Sequence, residues 1–162
     1  MKPPGIDHGY VVAVGSNMRV PGIGPPRAII HAVSMSLESE GVKMLRRSKI
    51  VTSKPVGPSR REYANAAMLV GSHLAPQGML AVLQAVEQRY GRQRRGQRWR
   101  ARAIDLDIIL WSGGVWSSRK LTIPHPRFHQ RNFVLAPAAE IAPHWRDPRT
   151  RLTLRQLAAR AS

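Results

Sequence analysis

The chain has 162 residues, of which 43% are apolar, and this combination predicts one folded domain and excludes a disordered chain. It contains no cysteine, so the function uses neither disulfides nor thiolates, and this is compatible with the reducing cytoplasm that we expect as its location. The net charge of +17 predicts a polyanionic partner: a nucleic acid, a nucleoside triphosphate or another phosphate compound.

The first half of the chain predicts a strand, a helix and two further strands after a loose tail over residues 1–9. This tail lacks the apolar core of a secretory signal, and no run of the sequence is long and apolar enough to span a membrane. Residues 9–14 form an apolar, β-branched run that predicts a strand, and apolar residues at helical spacing predict a helix over 27–41. The next two strands are predicted over 42–53 and 62–72.

The second half of the chain opens with helical spacing over 76–90 and a basic loop over 92–102. The apolar run 103–111 predicts a strand, and a turn containing two glycines follows it. We therefore expect residues 115–123 to return beside that strand as a β-hairpin.

The C-terminal part predicts a loop over 124–132 and short helices over 133–142 and 153–161, the second with Thr153 as its N-cap. The whole chain, residues 1–162, is expected to form a single domain. Its βαββαβ order predicts a ferredoxin-like α+β fold, in which helices pack on one face of an antiparallel sheet and short C-terminal helices follow.

Two of the nine acidic residues, Asp105 and Asp107, stand one residue apart inside the apolar strand 103–111. Side chains alternate along a strand, so both carboxylates lie on one face, opposite Leu106 and its apolar neighbours. Two carboxylates so close together repel each other unless a positive charge lies between them. Arginine or Mg²⁺ can supply that charge, and Mg²⁺ is commonly held by one or two carboxylates together with water and substrate phosphates.

The loop before these aspartates is basic and contains one aromatic residue, Trp99. An arginine guanidinium pairs bidentately with phosphate oxygens, and a tryptophan can stack on a ring or close a site. An RNA-binding arm would use the same arginines but would gain nothing from two adjacent carboxylates, whereas a Mg²⁺–triphosphate site needs both charges. The arginines of this loop are Arg92, Arg94, Arg95, Arg98, Arg100 and Arg102.

Four segments, taken in order, carry a family resemblance. They are VGSN at 14–17, KPVGPSRREYANAA at 54–67, EQRYGRQRRGQRWRARAIDLDIIL at 87–110 and LTIPHPRFHQRNFVLAPAAEIAP at 121–143. Each segment alone is a weak signal, but RW-x-x-R-x-x-D-x-D followed by PHPR and R-x-FVL is specific. The chain resembles the 6-hydroxymethyl-7,8-dihydropterin pyrophosphokinases of folate biosynthesis, and the resemblance covers nearly its whole length.

The resemblance implies an enzyme that transfers pyrophosphate from its co-substrate ATP to the hydroxymethyl oxygen of the pterin and releases AMP. It implies two Mg²⁺ ions held by Asp105 and Asp107, with Arg92 and Arg102 reaching the triphosphate, and these four residues form the expected catalytic set. The other residues that it implies on the ATP side are Gln84, Glu87, Trp99, Ile108, Thr122, His125 and Arg131.

For the pterin, the resemblance implies that Tyr63 and Phe133 sandwich the ring and that Asn65 recognises its polar edge. Ser53 and Val56 match the loop whose backbone completes that pocket. The chain departs from the family pattern here, because SRREY at 59–63 stands where Gln-Pro usually precedes the aromatic residue.

Two other functions stay open at this point. A basic RNA-binding module on a ferredoxin-like sheet would display aromatic residues for base stacking, but only 6% of this chain is aromatic. A degenerate relative would bind nucleotide without turnover, although the acidic pair is intact. We favour the enzyme, and we expect a cytoplasmic monomer that needs neither nucleic acid nor a membrane.

Overall fold

The computed structural model describes residues 6–53, 63–91 and 103–161, except for the side chain of Ser53. The strands in these ranges are β1 (His8–Ser16), β2 (Lys43–Arg47), β3 (Val51–Ser53), β4 (Tyr63–Ser72), β5 (Asp105–Trp111), β6 (Trp116–Ser117) and β7 (Thr122–Ile123). The helices are α1 (Pro26–Ser39), α2 (Pro76–Gly91), α3 (Asn132–Ile141) and α4 (Leu154–Ala161), with a 3₁₀ turn at Phe128–Gln130. None of these helices is long and apolar enough to cross a membrane.

Strand β1 is the centre of an antiparallel sheet, with β4 paired along one side and β5 along the other. Both β2 and β3 pair with β4, β2 near its C-terminal end and β3 at its N-terminal end. The strand order is therefore β2–β4–β1–β5, and β6 and β7 form a separate small ribbon. The predicted α+β class with an antiparallel sheet is confirmed.

Different helices cover the two faces of the sheet. Tyr10, Val12 and Val14 of β1 belong to the core that also contains the buried residues of α1 and α2. Val11, which alternates with them, belongs to the core formed with α3 and α4. The early helices thus share one face, as predicted, and the C-terminal helices cover the other, which we call the α3 face.

The last helix begins where its sequence predicts. The Thr153 hydroxyl accepts the Gln156 N–H at 3.1 Å, and the Gln156 side-chain oxygen accepts the Thr153 N–H at 2.9 Å. This reciprocal pair is a capping box, which satisfies backbone donors that the first helical turn cannot pair internally. The prediction of Thr153 as N-cap is confirmed.

Two predicted strand boundaries are wrong. The tail over residues 1–9 is too long, because β1 begins at His8 and the Asp7 N–H already donates to the Ser72 carbonyl at 3.3 Å. The single strand predicted over 42–53 is divided into β2 and β3. Buried Ser48 lies between them and accepts the Ala67 N–H with its hydroxyl at 2.9 Å. The ferredoxin-like order βαββαβ stays a prediction. It has two strands between its helices, whereas this chain has three, β2, β3 and β4, between α1 and α2.

The predicted hairpin over 103–123 is also wrong. Strand β6 pairs with β7 and not with β5. The chain turns tightly after β5, where the Gly114 N–H donates to the Trp111 carbonyl at 3.0 Å. The Trp111 and Trp116 rings then meet edge to face with centroids 5.8 Å apart, so packing of two indoles replaces a strand ladder at this point.

Candidate active site

One row of residues crosses the sheet where β1 ends and where β4 and β5 begin. Strand pairing sets Gly15 opposite Asn65 on one side and opposite Asp105 on the other. Directly paired residues share a face, so an amide and a carboxylate flank a position that has no side chain. A Cβ atom at Gly15 would lie 3.1 Å from Oδ1 of Asn65. In this Asn65–Gly15–Asp105 row, the lack of a side chain at Gly15 therefore leaves room for the Asn65 amide.

Asp105 and Asp107 both lie on the α3 face, as their alternation predicts. Both are exposed, whereas Leu106 between them is 4% exposed and packs in the core on the opposite face. Oε2 of Glu87 on α2 accepts the Leu106 N–H at 3.1 Å, which fixes a third carboxylate beside the same stretch of β5. Negative charge is concentrated here in a protein of net charge +17, so the site suits a cation or a metal–phosphate complex.

His125 lies within electrostatic reach of Asp107, on the segment that precedes α3. Its backbone N–H donates to the Ile109 carbonyl of β5 at 3.1 Å, and its Nδ1 accepts the Arg127 N–H at 3.2 Å. Burial lowers the pKa of His125; Asp107 opposes this shift, and Arg131 and Arg127 add to it. Because Nδ1 accepts a hydrogen bond, the neutral ring carries its proton on Nε2, which can donate to a phosphate oxygen.

Two of the predicted pterin-site residues are exposed aromatic rings. Tyr63 begins β4, two residues before Asn65 and so on the same face, and it is 37% exposed. Phe133 lies in the first turn of α3 and is 50% exposed, with the Arg131 guanidinium carbon 5.9 Å from its ring centroid. Asn65 itself is 8% exposed. Exposed rings and a buried amide are the kinds of group that a planar, polar heterocycle needs for stacking and edge recognition.

Comparison with known proteins decides the family. A family model described as 7,8-dihydro-6-hydroxymethylpterin-pyrophosphokinase (HPPK) matches residues 11–143. The chain belongs to the HPPK family.

Three relatives show the extent of this likeness. The chain is 38% identical over 151 residues to the 2-amino-4-hydroxy-6-hydroxymethyldihydropteridine pyrophosphokinase of Synechocystis, covering 93% of this chain and 74% of that protein. It is 36% identical over 132 residues to the protein of the same name from Haemophilus influenzae, covering 81% and 79%. A folate synthesis bifunctional protein of Arabidopsis thaliana is 32% identical over 132 residues, which are 81% of this chain and 26% of that protein.

Membership of the HPPK family confirms the resemblance and decides for an enzyme over an RNA-binding module as the class of this protein. The matched range contains every predicted site residue. The structure links several of these predicted residues in two groups. Tyr63 and Asn65 share a face of β4, and Asn65 stands in the row that ends at Asp105. Asp107 and Arg131 lie within electrostatic reach of His125, and the Arg131 guanidinium lies over the Phe133 ring.

Three other predicted site residues lie outside these two groups. Gln84 is exposed on α2, one turn before Glu87, and Thr122 is half-buried on β7, paired with Ser117. Ile108 is 2% exposed and packs in the core on the face away from the aspartates. A contact with the nucleotide, which stays a prediction, would therefore use the backbone of Ile108 and not its side chain.

The remaining predicted residues lie outside the description of the structure. These are Val56, Arg92, Trp99, Arg102 and the side chain of Ser53, whose backbone pairs with Tyr63 across β3 and β4. Their roles stay predictions.

The carboxylates of the site can be compared with the ligands that the predicted Mg²⁺ ions require. Within residues 6–53, 63–91 and 103–161, no three His, Cys, Asp or Glu side chains converge as a metal site. Asp105 and Asp107 nevertheless fit this ion, because Mg²⁺ usually takes only one or two carboxylates from a protein and completes its shell with water and substrate phosphates.

Gly15 is not among the predicted site residues, although a glycine inside a strand is a known signal of close approach by a ligand or another chain segment. A cavity of about 350 Å³ at the same end of the sheet was likewise not predicted, because separate segments contribute its walls. Tyr63 belongs both to this cavity and to the predicted site. Two other residues of the cavity wall, Thr52 and Ala64, pair with each other and lie on the face of the sheet opposite to Asn65. Its lining residues are Asn17, Pro25, Pro26, Arg27, Thr52, Tyr63 and Ala64.

Proposed function

We propose that the Asn65–Gly15–Asp105 row joins the two halves of a pyrophosphate-transfer site. Family membership makes the chain an ATP-dependent pyrophosphokinase of folate biosynthesis, which acts on 6-hydroxymethyl-7,8-dihydropterin. The observation that carries the site assignment is the strand register. It sets an amide that suits a heterocycle on one side of Gly15 and a carboxylate that suits a metal ion on the other.

The pterin half of the site uses stacking and edge recognition. Tyr63 and Phe133 are the rings that sandwich the pterin, and Asn65 donates to and accepts from its polar edge. Gly15 leaves the Asn65 amide the room that it needs for this role. Ser53 and Val56 complete the pocket through their backbone.

The ATP half of the site uses charge. Asp105 and Asp107 would hold two Mg²⁺ ions, which would supply positive charge to neutralise the phosphates and to polarise the attacking hydroxyl. His125 donates to a phosphate oxygen from its neutral ring, and Arg131 contributes a fixed positive charge beside it. Arg92 and Arg102 contact the triphosphate and Trp99 covers it. Gln84, Glu87, Ile108 and Thr122 line the nucleotide side.

In the reaction, the hydroxymethyl oxygen of the pterin forms a bond to the β-phosphorus of ATP. The bond from that phosphorus to the oxygen bridging the α-phosphorus breaks, AMP leaves with the electron pair, and the hydroxyl proton is released. The residues named above position both substrates and stabilise charge, which is how most phosphoryl-transfer sites act. We place this reaction in the cytoplasm and assign it to a monomer without a nucleic-acid or membrane partner.

The test is AMP formation from ATP and 6-hydroxymethyl-7,8-dihydropterin with Mg²⁺, measured for the natural chain and for Asp105→Asn and Asp107→Asn. Each substitution keeps the side-chain volume but removes one charge from the metal-binding pair. We expect turnover to fall on the order of a thousandfold, with an unchanged circular dichroism spectrum.

Asp7→Asn is the matched control, because Asp7 is an exposed aspartate at the other end of β1 that pairs with His73 at 2.7 Å. It should retain full turnover. Absence of AMP with the natural chain would overturn the proposed function and favour a nucleotide-binding relative without turnover. Full activity of both aspartate variants would overturn the metal assignment alone.

A further inference from the structure

A hydrogen-bonded pair, His129 and buried Asp147, joins the loop after α3 to the segment that carries His125 and Arg131. Asp147 has 0% exposure, and its Oδ2 lies 2.8 Å from Nε2 of His129, which donates to it. The same carboxylate accepts the Thr150 hydroxyl at 2.7 Å and the Arg149 N–H at 3.1 Å. A buried carboxylate costs stability unless it is paired and hydrogen-bonded, so this set of donors fixes the position of His129 firmly.

His129 lies between the two proposed ATP-side residues, four residues after His125 and two before Arg131. The Phe128 N–H donates to the His125 carbonyl, and the Arg131 N–H donates to the Phe128 carbonyl, both at 3.3 Å. The His129 ring lies against the fully buried Phe128 ring, with centroids 3.9 Å apart. Residues 125–131 are thus one compact turn, and it is held by the carboxylate of Asp147.

The turn continues directly into the first turn of α3. The Arg131 carbonyl accepts the N–H groups of Val134 and Leu135 at 2.9 and 3.0 Å. The backbone hydrogen bonds of the turn that contains His129 thus lead to Arg131, and those of Arg131 lead into the helical turn that contains Phe133. The Arg131 guanidinium lies over the Phe133 ring. Movement of His129 therefore moves the backbone from which Arg131 projects.

We infer that His129 and Asp147 are positioning residues for the nucleotide half of the site. They hold residues 125–131 so that His125 and Arg131 meet the ATP phosphates, and they touch neither substrate themselves. This inference rests on the proposed function. Its physical basis is that a displacement of about 1 Å in a charge-stabilising group can cost up to about a hundredfold in rate or affinity.

Three variants separate positioning from mere stability. His129→Leu keeps an apolar body against Phe128 but removes the donor, and His129→Gln places an amide N–H near the position of Nε2. Thr150→Val is the matched control, because it removes another donor to the same carboxylate without touching residues 125–131. We expect His129→Leu to raise the KM for ATP about tenfold and the KM for the pterin less than about twofold. His129→Gln should restore the KM for ATP to within about threefold, and Thr150→Val should leave both KM values unchanged.

Hydrogen exchange gives a second measurement that does not depend on turnover. The Val134 and Leu135 amides should exchange about tenfold faster in His129→Leu than in the natural chain, and at the natural rate in Thr150→Val. If His129→Leu does not fold, His129→Gln and Asp147→Asn are compared in the same two measurements, and only Asp147→Asn should show both changes.

Several results would overturn the inference. It fails if His129→Leu and Thr150→Val have the same KM for ATP, or if they exchange these amides equally fast. It also fails if His129→Gln does no better than His129→Leu. An inactive natural chain would overturn the proposed function instead, and the exchange rates would then decide whether the pair fixes the turn.

Discussion

Among single residues, Gly15 and Gly9 of β1 differ in what a methyl group would meet. At Gly15 it would press on Oδ1 of Asn65 at 3.1 Å, whereas at Gly9 it would lie at an ordinary 3.7 Å from the Trp145 ring. The Asn65 amide, which we propose recognises the pterin edge, would have to shift by a few tenths of an ångström. We therefore predict that Gly15→Ala raises the KM for the pterin about tenfold, with the KM for ATP within about twofold.

Steady-state kinetics with each substrate varied in turn measure this effect, and Gly9→Ala on the same strand is the control that should change neither KM. An unchanged KM for the pterin in Gly15→Ala would show that the Asn65–Gly15–Asp105 row does not take part in pterin binding. A rise in both KM values would indicate a general disturbance of β1.

Asp147 gives a prediction about acid stability. Burial would raise the pKa of its carboxyl, but hydrogen bonds from His129, from Thr150 and from the Arg149 backbone outweigh burial and hold the pKa below its usual value. A carboxyl whose pKa is lower in the folded chain stabilises the fold above its unfolded pKa of about 3.9, and this contribution is lost as the pH falls further. Asp147→Asn should lower the free energy of unfolding by about 2 kcal/mol at pH 7.

Urea titrations of the natural chain and of Asp147→Asn at several pH values measure this difference. It should be constant above about pH 5 and shrink as the pH falls through about 4 and below. Asp7→Asn is the comparison, since exposed Asp7 makes a pair that solvent screens. A difference that stays the same down to pH 3 would show that the charge of Asp147 contributes nothing to stability.

At the level of the elements, α4 depends on its capping box. The hydroxyl of Thr153 accepts the Gln156 N–H, and α4 has only eight residues, so the cap stabilises a large share of its first turn. Thr153→Ala should lower the free energy of unfolding by about 1 kcal/mol, whereas Thr153→Ser, which keeps the hydroxyl, should change it by less than about 0.5 kcal/mol. Urea unfolding checks both values, and equal losses in the two variants would show that the methyl group of Thr153 matters and its hydroxyl does not.

The elements also show what the sequence can and cannot predict. Alternation along 103–111 placed Asp105 and Asp107 on one face correctly, because that pattern depends only on the local backbone. Pairing is not local: β6 pairs with β7 while Trp116 packs against Trp111, and nothing in the spacing of these residues reveals either contact. The opposition of Gly15 to both Asn65 and Asp105 likewise depends on the register of strands about 50 and 90 residues apart, which period-two patterns cannot fix.

For the whole molecule, the excess of basic over acidic residues causes electrostatic repulsion within the folded chain. The chain carries 26 basic and 9 acidic residues, and among the described carboxylates Asp147 and Glu87 are already engaged with His129 and with the Leu106 N–H. Most of the positive charges therefore repel one another through solvent, and this repulsion destabilises the compact state. Added salt screens exposed charges over a Debye length of about 10 Å at 0.1 M ionic strength.

We therefore predict that raising NaCl from about 20 to about 300 mM increases the melting temperature by about 3 °C, since screening on the order of 1 kcal/mol shifts a domain of this size by that amount. The KM for ATP should rise over the same range, because salt also screens the attraction between the basic chain and the negatively charged nucleotide. Thermal unfolding in NaCl and in Na₂SO₄ at equal ionic strength checks the cause: screening predicts nearly the same increase in both salts. A melting temperature that falls with salt would show that attractive pairs outweigh repulsion, while a much larger increase in sulfate would indicate anion binding at particular arginines in place of general screening.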